Sequence, residues 1–225
     1  MWTIPKIWEG SDVWIIGGGP SVPGQFDIPD SIVQKVIKGA SPALYSPFME
    51  AIHNKHVIGV NVAYLLGNWI DIVFFGDTNF WLKYQNDLAK FPNIKVSCHS
   101  GVAKFDWVKY VPHDKNHTKG ITPHPNMVSW NENSGAAAIS LAAHAGAKRI
   151  ILLGFDMKLN GDKQHWHNIY KKSTSKRFYA HLLGFKQIAI DAKKLGISIW
   201  NVSPESAIKE FPKVTLAEML EILKK

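Results

Sequence analysis

Residues 160–170 read NGDKQHWHNIY and gather Asp162, Lys163, His165, His167 and Tyr170 into one short stretch. Imidazole has the side-chain pKa nearest neutrality, so His165 or His167 can take the proton of an acceptor hydroxyl while Lys163 neutralises a leaving phosphate. The same two histidines, at i and i+2, fall on one side of an extended chain. That spacing also suits a metal ion if a third ligand, Asp156 or Asp77, joins them. A surface loop without chemistry is the third reading of this stretch. His181, near Tyr179 on an expected helix, is a further candidate for the base. Trp81, Tyr84, Trp130 and Trp166 are candidates to stack on a base or sugar, although tryptophans also fill cores and rims.

A phosphate would need backbone amides, and residues 13–21, VWIIGGGPS, have the composition to present them. Glycine tolerates positive φ and lets the chain approach a ligand closely, so a strand ending at Gly17, Gly18 and Gly19 is built to turn sharply, with Ser21 adding a hydroxyl. The dinucleotide fingerprint is not met, because Val22 stands where its third glycine belongs. The second strand ends in Asn61 rather than in an acid that would hold a ribose, and no P-loop pattern is present. A second anion site is expected at Asn133, Ser134 and Gly135, which open a helix of small residues; Asn133 or Ser134 is its N-cap, and the helix start carries partial positive charge. Two apolar strands run through glycine into aspartate, VFFGD to Asp77 and LLGFD to Asp156. In a parallel sheet both carboxylates reach the carboxyl edge, where ligands bind.

Along the chain, strand-length apolar runs alternate with helix-period segments, the pattern of an α/β fold around a mostly parallel sheet. Strands are expected at DVWIIGG, HVIGVN, IDIVFFGD, IKVSC, RIILLGFD and ISIWNV. Helices are expected at 31–38, 63–68, 78–90, 134–145, 176–195 and 215–223. Residues 99–131 lack a clear period and read as an irregular excursion with one short strand at FDWVKYV. These elements make a single Rossmann-like domain over 1–225, with a core from 10 to 200 and a C-terminal helix.

With 46% hydrophobic and 20% charged residues, the 225-residue chain can bury a full core, which excludes disordered and fibrous classes. No apolar run is long enough for a membrane span and no signal-peptide layout is found, so a cytoplasmic protein without a membrane partner is expected. The single cysteine, Cys98, excludes an internal disulfide framework and a multi-cysteine zinc site. A formal net charge of +8, with basic residues gathered in KKSTSKR at 171–177, favours a polyanionic partner, nucleic acid among them.

Three segments in order, IIGGGPS, GVNVAYLLGNWIDIVFFGD and NSGAAAISLAAHAGAKRIILLGFDM, resemble the core of the bacterial sialyltransferase-like glycosyltransferases and of the related archaeal hydroxymethylpterin pyrophosphokinase-like family. Phage and prophage proteins of that superfamily also carry an HWH element after the Gly-Phe-Asp strand. The likeness covers about residues 10–160 well and the remainder loosely. It implies a nucleotide site at Gly17 to Ser21, Asn61, Asp77, Asn133, Ser134 and Gly135. The chain departs from the sialyltransferase pattern at Gly18, where that family has Asn, and at Glu132, where it has Arg, and its donor-phosphate tyrosines have no counterpart after Asp156. What the resemblance implies is a transferase that moves a sugar from a nucleotide-sugar donor to a hydroxyl, with a hydroxylated base in phage DNA as an acceptor and magnesium not required. The alternatives are a magnesium-dependent pyrophosphokinase or phosphotransferase, with Asp77 and Asp156 on the metal, and a non-catalytic nucleotide-binding module of a phage. Host cytoplasm is the expected location for a phage-encoded chain.

Overall fold

The computed structural model describes residues 2–170 and 175–224. Its strands are β1 (Asp12–Ile16), β2 (His56–Val60), β3 (Ile72–Phe75), β4 (Ile94–Ser97), β5 (Lys109–Tyr110), β6 (Arg149–Leu153) and β7 (Ser198–Val202). They form one seven-stranded sheet in the order β5-β4-β3-β2-β1-β6-β7, and every pairing is parallel. The helices are α1 (Val22–Gln25), α2 (Asp30–Ile37), α3 (Thr78–Leu88), α4 (Ser134–His144), α5 (Ser175–Leu182), α6 (Phe185–Lys194) and α7 (Leu216–Ile222). The fold is therefore the expected Rossmann-like α/β architecture, with no antiparallel pairing in the named strands.

The central strands are apolar throughout because helices cover both faces of the sheet. In β1, Val13 and Ile15 pack with α4 and α6, while Trp14 and Ile16 pack with α2, α3 and α7 on the other side. The same alternation runs through β6, where Ile150 and Leu152 join the first layer and Ile151 and Leu153 the second. Side chains one residue apart in a strand point to opposite faces, so each buried strand feeds two cores at once.

Four local features differ from the sequence expectation. The helix expected over 176–195 breaks into α5 and α6 at Gly184, where a Cβ would lie 2.7 Å from the Asn131 side-chain oxygen. Residues Pro42–Ile52 form a long 3-10 stretch that periodicity does not announce; Pro47 inside it has no N–H to give an α-helical ladder. The helix expected at 63–68 is likewise a 3-10 segment, Asn61–Leu66. The strand expected at FDWVKYV shrinks to the two residues of β5. Within the excursion, Asn131 ties the chain back on itself, accepting from the Gly120 N–H at 2.7 Å and donating to the Gly120 and Ser129 carbonyls. Among the described residues, no helix is long and apolar enough to cross a membrane.

Candidate functional site

After β1 the chain runs outward through β2 to β5, while β6 and β7 are added on the other side of β1. The carboxyl ends of β1 and β6 are thus the switch point at which open α/β sheets form their binding crevices. A cleft of about 600 Å³ opens there. Gly17, Gly18 and Gly19, Asn61, Asp77, Asn133, Ser134 and Gly135, Asp156, His165, His167 and His181 all line it. Residues more than a hundred positions apart are brought together because every parallel strand delivers its C-terminal end to the same edge.

The three glycines are bare for a reason other than the one inferred from sequence. None of them has positive φ. A Cβ on Gly17 would come within 2.8 Å of the Gly154 carbonyl oxygen, one on Gly18 within 2.9 Å of His165 Nδ1, and one on Gly19 would collide with the Asp156 carboxylate. The amides of Gly17 and Gly19 donate to the carbonyls of Leu153 and Gly154 at 2.8 and 2.9 Å, so they are not free for a phosphate. The turn is instead seated against β6 and covered by the HWH element. Trp166 locks that cover in place: its indole N–H donates to the Gly17 carbonyl at 2.8 Å and its backbone N–H to the Gly18 carbonyl at 3.1 Å. It is 1% exposed, a structural clamp rather than a stacking surface, and Trp81 is likewise buried. Of the aromatic candidates, Trp130 lines the cleft, stacked on His113, while Tyr84 packs against Tyr64 and Phe80.

The histidines of the cleft are held in different tautomers. His165 Nδ1 donates to the Gly18 carbonyl at 3.1 Å, which leaves a lone pair on Nε2. His167 Nδ1 accepts from the Ile169 N–H at 3.2 Å, so in the neutral ring Nε2 carries the proton; that atom is buried and has no hydrogen-bond partner among the described residues. The two rings stack, 5.0 Å apart and 8° from parallel. Burial lowers the His165 pKa, against the opposing pull of the Gly18 carbonyl, and burial with the neighbouring His165 pushes His167 down to about 3. His181 Nδ1 donates to the Glu132 carbonyl at 2.6 Å.

The acidic residues are bound into the scaffold. The Ser21 hydroxyl donates to Asp156 at 2.9 Å and lies 3.0 Å from the Ser203 hydroxyl, so Ser21 supports the carboxylate and does not line the cleft. Burial raises the Asp156 pKa, and the Ser21 hydroxyl and amide oppose the shift. Asp77 accepts from the Ser134 hydroxyl at 3.3 Å. Asn133 is the N-cap expected of α4, and its side chain takes the Gly135 and Ala136 amides at 2.8 and 3.3 Å, which removes two donors from the anion site inferred there. His165 and His167 do not assemble a three-ligand set with Asp77 or Asp156; among the described residues three ligand-type atoms converge only at Asp114, His117 and His124.

Lys163 does not reach the cleft. It is exposed in a reverse turn closed by Asn160, and among the described residues the lysine that lines the cleft is Lys158. Residues 171–174 of the basic cluster, and the side chains of 175–177, lie outside the described residues. Sequence reasoning also missed the backbone around the cleft: Asn61, Glu132 and Met157 hold φ values of 52°, 55° and 50°, and all three line it. Non-glycine residues in the left-handed region are uncommon and gather at functional sites, yet no residue type in the sequence announces them. Cys98 is buried, and burial pushes its thiol pKa up, so it offers no ready nucleophile.

Compared with family models, curated proteins and solved structures, the chain matches none of them.

Proposed function

We propose that the protein is a glycosyltransferase that moves a sugar from a nucleotide-sugar donor to a hydroxyl acceptor, with His165 as general base. The observation that carries this reading is the anchored imidazole of a cleft-lining residue: Gly18 holds the His165 Nδ1–H, which leaves the lone pair on Nε2. In the reaction Nε2 takes the acceptor proton as the acceptor oxygen bonds to the anomeric carbon. The bond from that carbon to the donor phosphate oxygen breaks, and its electron pair leaves with the nucleotide. A lowered pKa keeps His165 neutral, and so able to accept a proton, at neutral pH. His167 Nε2–H and Asn61 Oδ1, buried and without hydrogen-bond partners among the described residues, supply a donor and an acceptor for the hydroxyls or base of the donor substrate. Lys158 and the positive end of α4 offset the charge that develops on the leaving phosphate. The resemblance of the three core segments to sialyltransferase-like enzymes supports a nucleotide in this cleft, and the net charge of +8 favours a phosphate-rich acceptor such as a hydroxylated base in phage DNA.

A second reading has its own observation. Asp77 and Asp156 line the same cleft, as a magnesium-dependent pyrophosphokinase or phosphotransferase would require.

Thermal shift of the purified protein against CMP, UDP, GDP, ATP and common nucleotide sugars, with and without Mg²⁺, separates the readings. Glycosyl transfer predicts a rise with one nucleotide or its sugar that survives chelation. His165→Ala then keeps the rise and loses about 10²- to 10⁴-fold in turnover. Unchanged turnover in His165→Ala, with loss in His181→Ala, would move the base to His181. A rise with ATP alone that requires Mg²⁺ selects the phosphotransferase, and no rise with any ligand selects a non-catalytic module.

A further inference from the structure

We propose that Asp114, His117 and His124 form a binding site for one divalent transition cation of the zinc class, separate from the cleft. The three residues belong to the irregular excursion between β5 and α4, and none of them lines the cleft. Their ligand atoms all lie within 4.8 Å of one another. His117 Nδ1 is 2.9 Å and His124 Nε2 is 3.9 Å from Asp114 Oδ2. Zinc bonds of about 2.0–2.2 Å place tetrahedral ligand atoms roughly 3.3 Å apart, an edge that these two distances bracket. Two imidazoles and one carboxylate are the donor set of an open zinc site, with water in the fourth position.

The loop preorganises the carboxylate. Asp114 Oδ1 accepts from the amides of Asn116 and His117 at 2.9 and 3.1 Å, and Oδ2 accepts from the Thr122 hydroxyl. Oriented ligands of this kind are what metal sites draw from their outer shell. A loop clamp would need Asp114, Thr122 and the two amides, but it has no use for His124. That ring makes no hydrogen bond among the described residues, yet it is turned toward the same carboxylate oxygen and sits edge-on to His117, 5.6 Å between centroids. His144 of α4 stands within electrostatic reach of His124, and its buried Nε2 has no hydrogen-bond partner among the described residues. His117 and His124 are both about half exposed, at 46% and 52%, so a cation can enter without unfolding the loop. On binding, the neutral His117 ring carries its proton on Nε2, so that the lone pair of Nδ1, the atom now directed at Asp114, ligates the cation instead.

The test uses full-length protein freed of any polyhistidine tag and stripped with chelator, titrated with Zn²⁺ by calorimetry and with Co²⁺ by visible absorption. The wild type is expected to bind one tight equivalent, with Co²⁺ giving the d–d bands of a four-coordinate site. His124→Ala and His117→Ala are each expected to weaken binding by more than about tenfold, and the melting curve of His124→Ala without metal is expected to match the wild type. His124→Ala is the decisive variant, because its ring supports no hydrogen bond whose loss would disturb the loop. Absence of a tight equivalent in the wild type, or equal affinity in His124→Ala, would overturn the site. Loss of the equivalent in His165→Ala, with His124→Ala unaffected, would overturn it too and place the cation at the HWH element. None of these outcomes depends on which reaction the cleft performs.

Discussion

At the scale of single residues, His165 and His167 show how one hydrogen bond assigns a role. They are two positions apart in sequence and stack face to face, but a carbonyl holds one at Nδ1 and an amide holds the other. The first is left a proton acceptor and the second a donor, which the pattern HWH cannot state. The cost of keeping them neutral is visible in acid. His167 is held uncharged in the folded protein down to about pH 3, whereas an unfolded imidazole charges near pH 6.5. Below that value the unfolded state binds more protons, so stability falls as pH falls, by about 1.4 kcal/mol per pH unit for each histidine so held. Urea denaturation between pH 7.5 and 5 is therefore expected to steepen below about 6.5. His167→Phe is expected to remove close to one proton from that slope; an unchanged slope would show that His167 is not buried as a neutral ring.

At the scale of elements, α4 is the piece on which the cleft depends. Its residues from Ser134 to Ala142 are all buried, and the helix lies against β1, β2, β3 and β6. Alanine and glycine let the backbone come close enough for Asn133 to cap the helix inside the cleft and for Gly135 to clear the Phe155 ring, 3.0 Å from where its Cβ would stand. Interiors are close-packed, so added volume has nowhere to go. Ala138→Leu is expected to destabilise the fold by about 1–3 kcal/mol, read as a lower urea midpoint with an unchanged slope. A neutral result would mean that α4 stands off the sheet.

At the scale of the whole molecule, charge and cleft have to be considered together. The chain carries a net +8, while among the described residues the cleft is lined by Asp77, Glu132 and Asp156 beside Lys158 and three histidines. A net positive charge of this size is suited to hold a polyanion by its backbone while one group of it enters the site. If DNA carries the acceptor, binding of a labelled duplex is expected to weaken steeply between about 50 and 200 mM salt and to be sequence-tolerant. Failure to bind at low salt would remove DNA and leave a small hydroxyl acceptor.

Much of the fold was legible in the sequence because it rests on short-range physics. Apolar runs of strand length, glycine and aspartate at their ends, and a capped helix of small residues each follow from local propensity and burial. In a parallel sheet these alone bring Gly17, Asn61, Asp77, Asn133 and Asp156 to one edge. Tertiary structure alone decided what those residues face. The glycine turn was free to be a phosphate loop until β6 took its amides and Trp166 covered it, contacts between residues some 130 to 150 positions apart. Lys163 and Lys158 could exchange places in any sequence argument, and only the turn at Asn160 separates them. Asp114, His117 and His124 follow no recognised ligand spacing, because a folded loop, not a period along the chain, brings them together. Hydrogen bonds and close packing across long sequence distances have no signature in composition or periodicity, and here they decide which atoms remain available to a ligand.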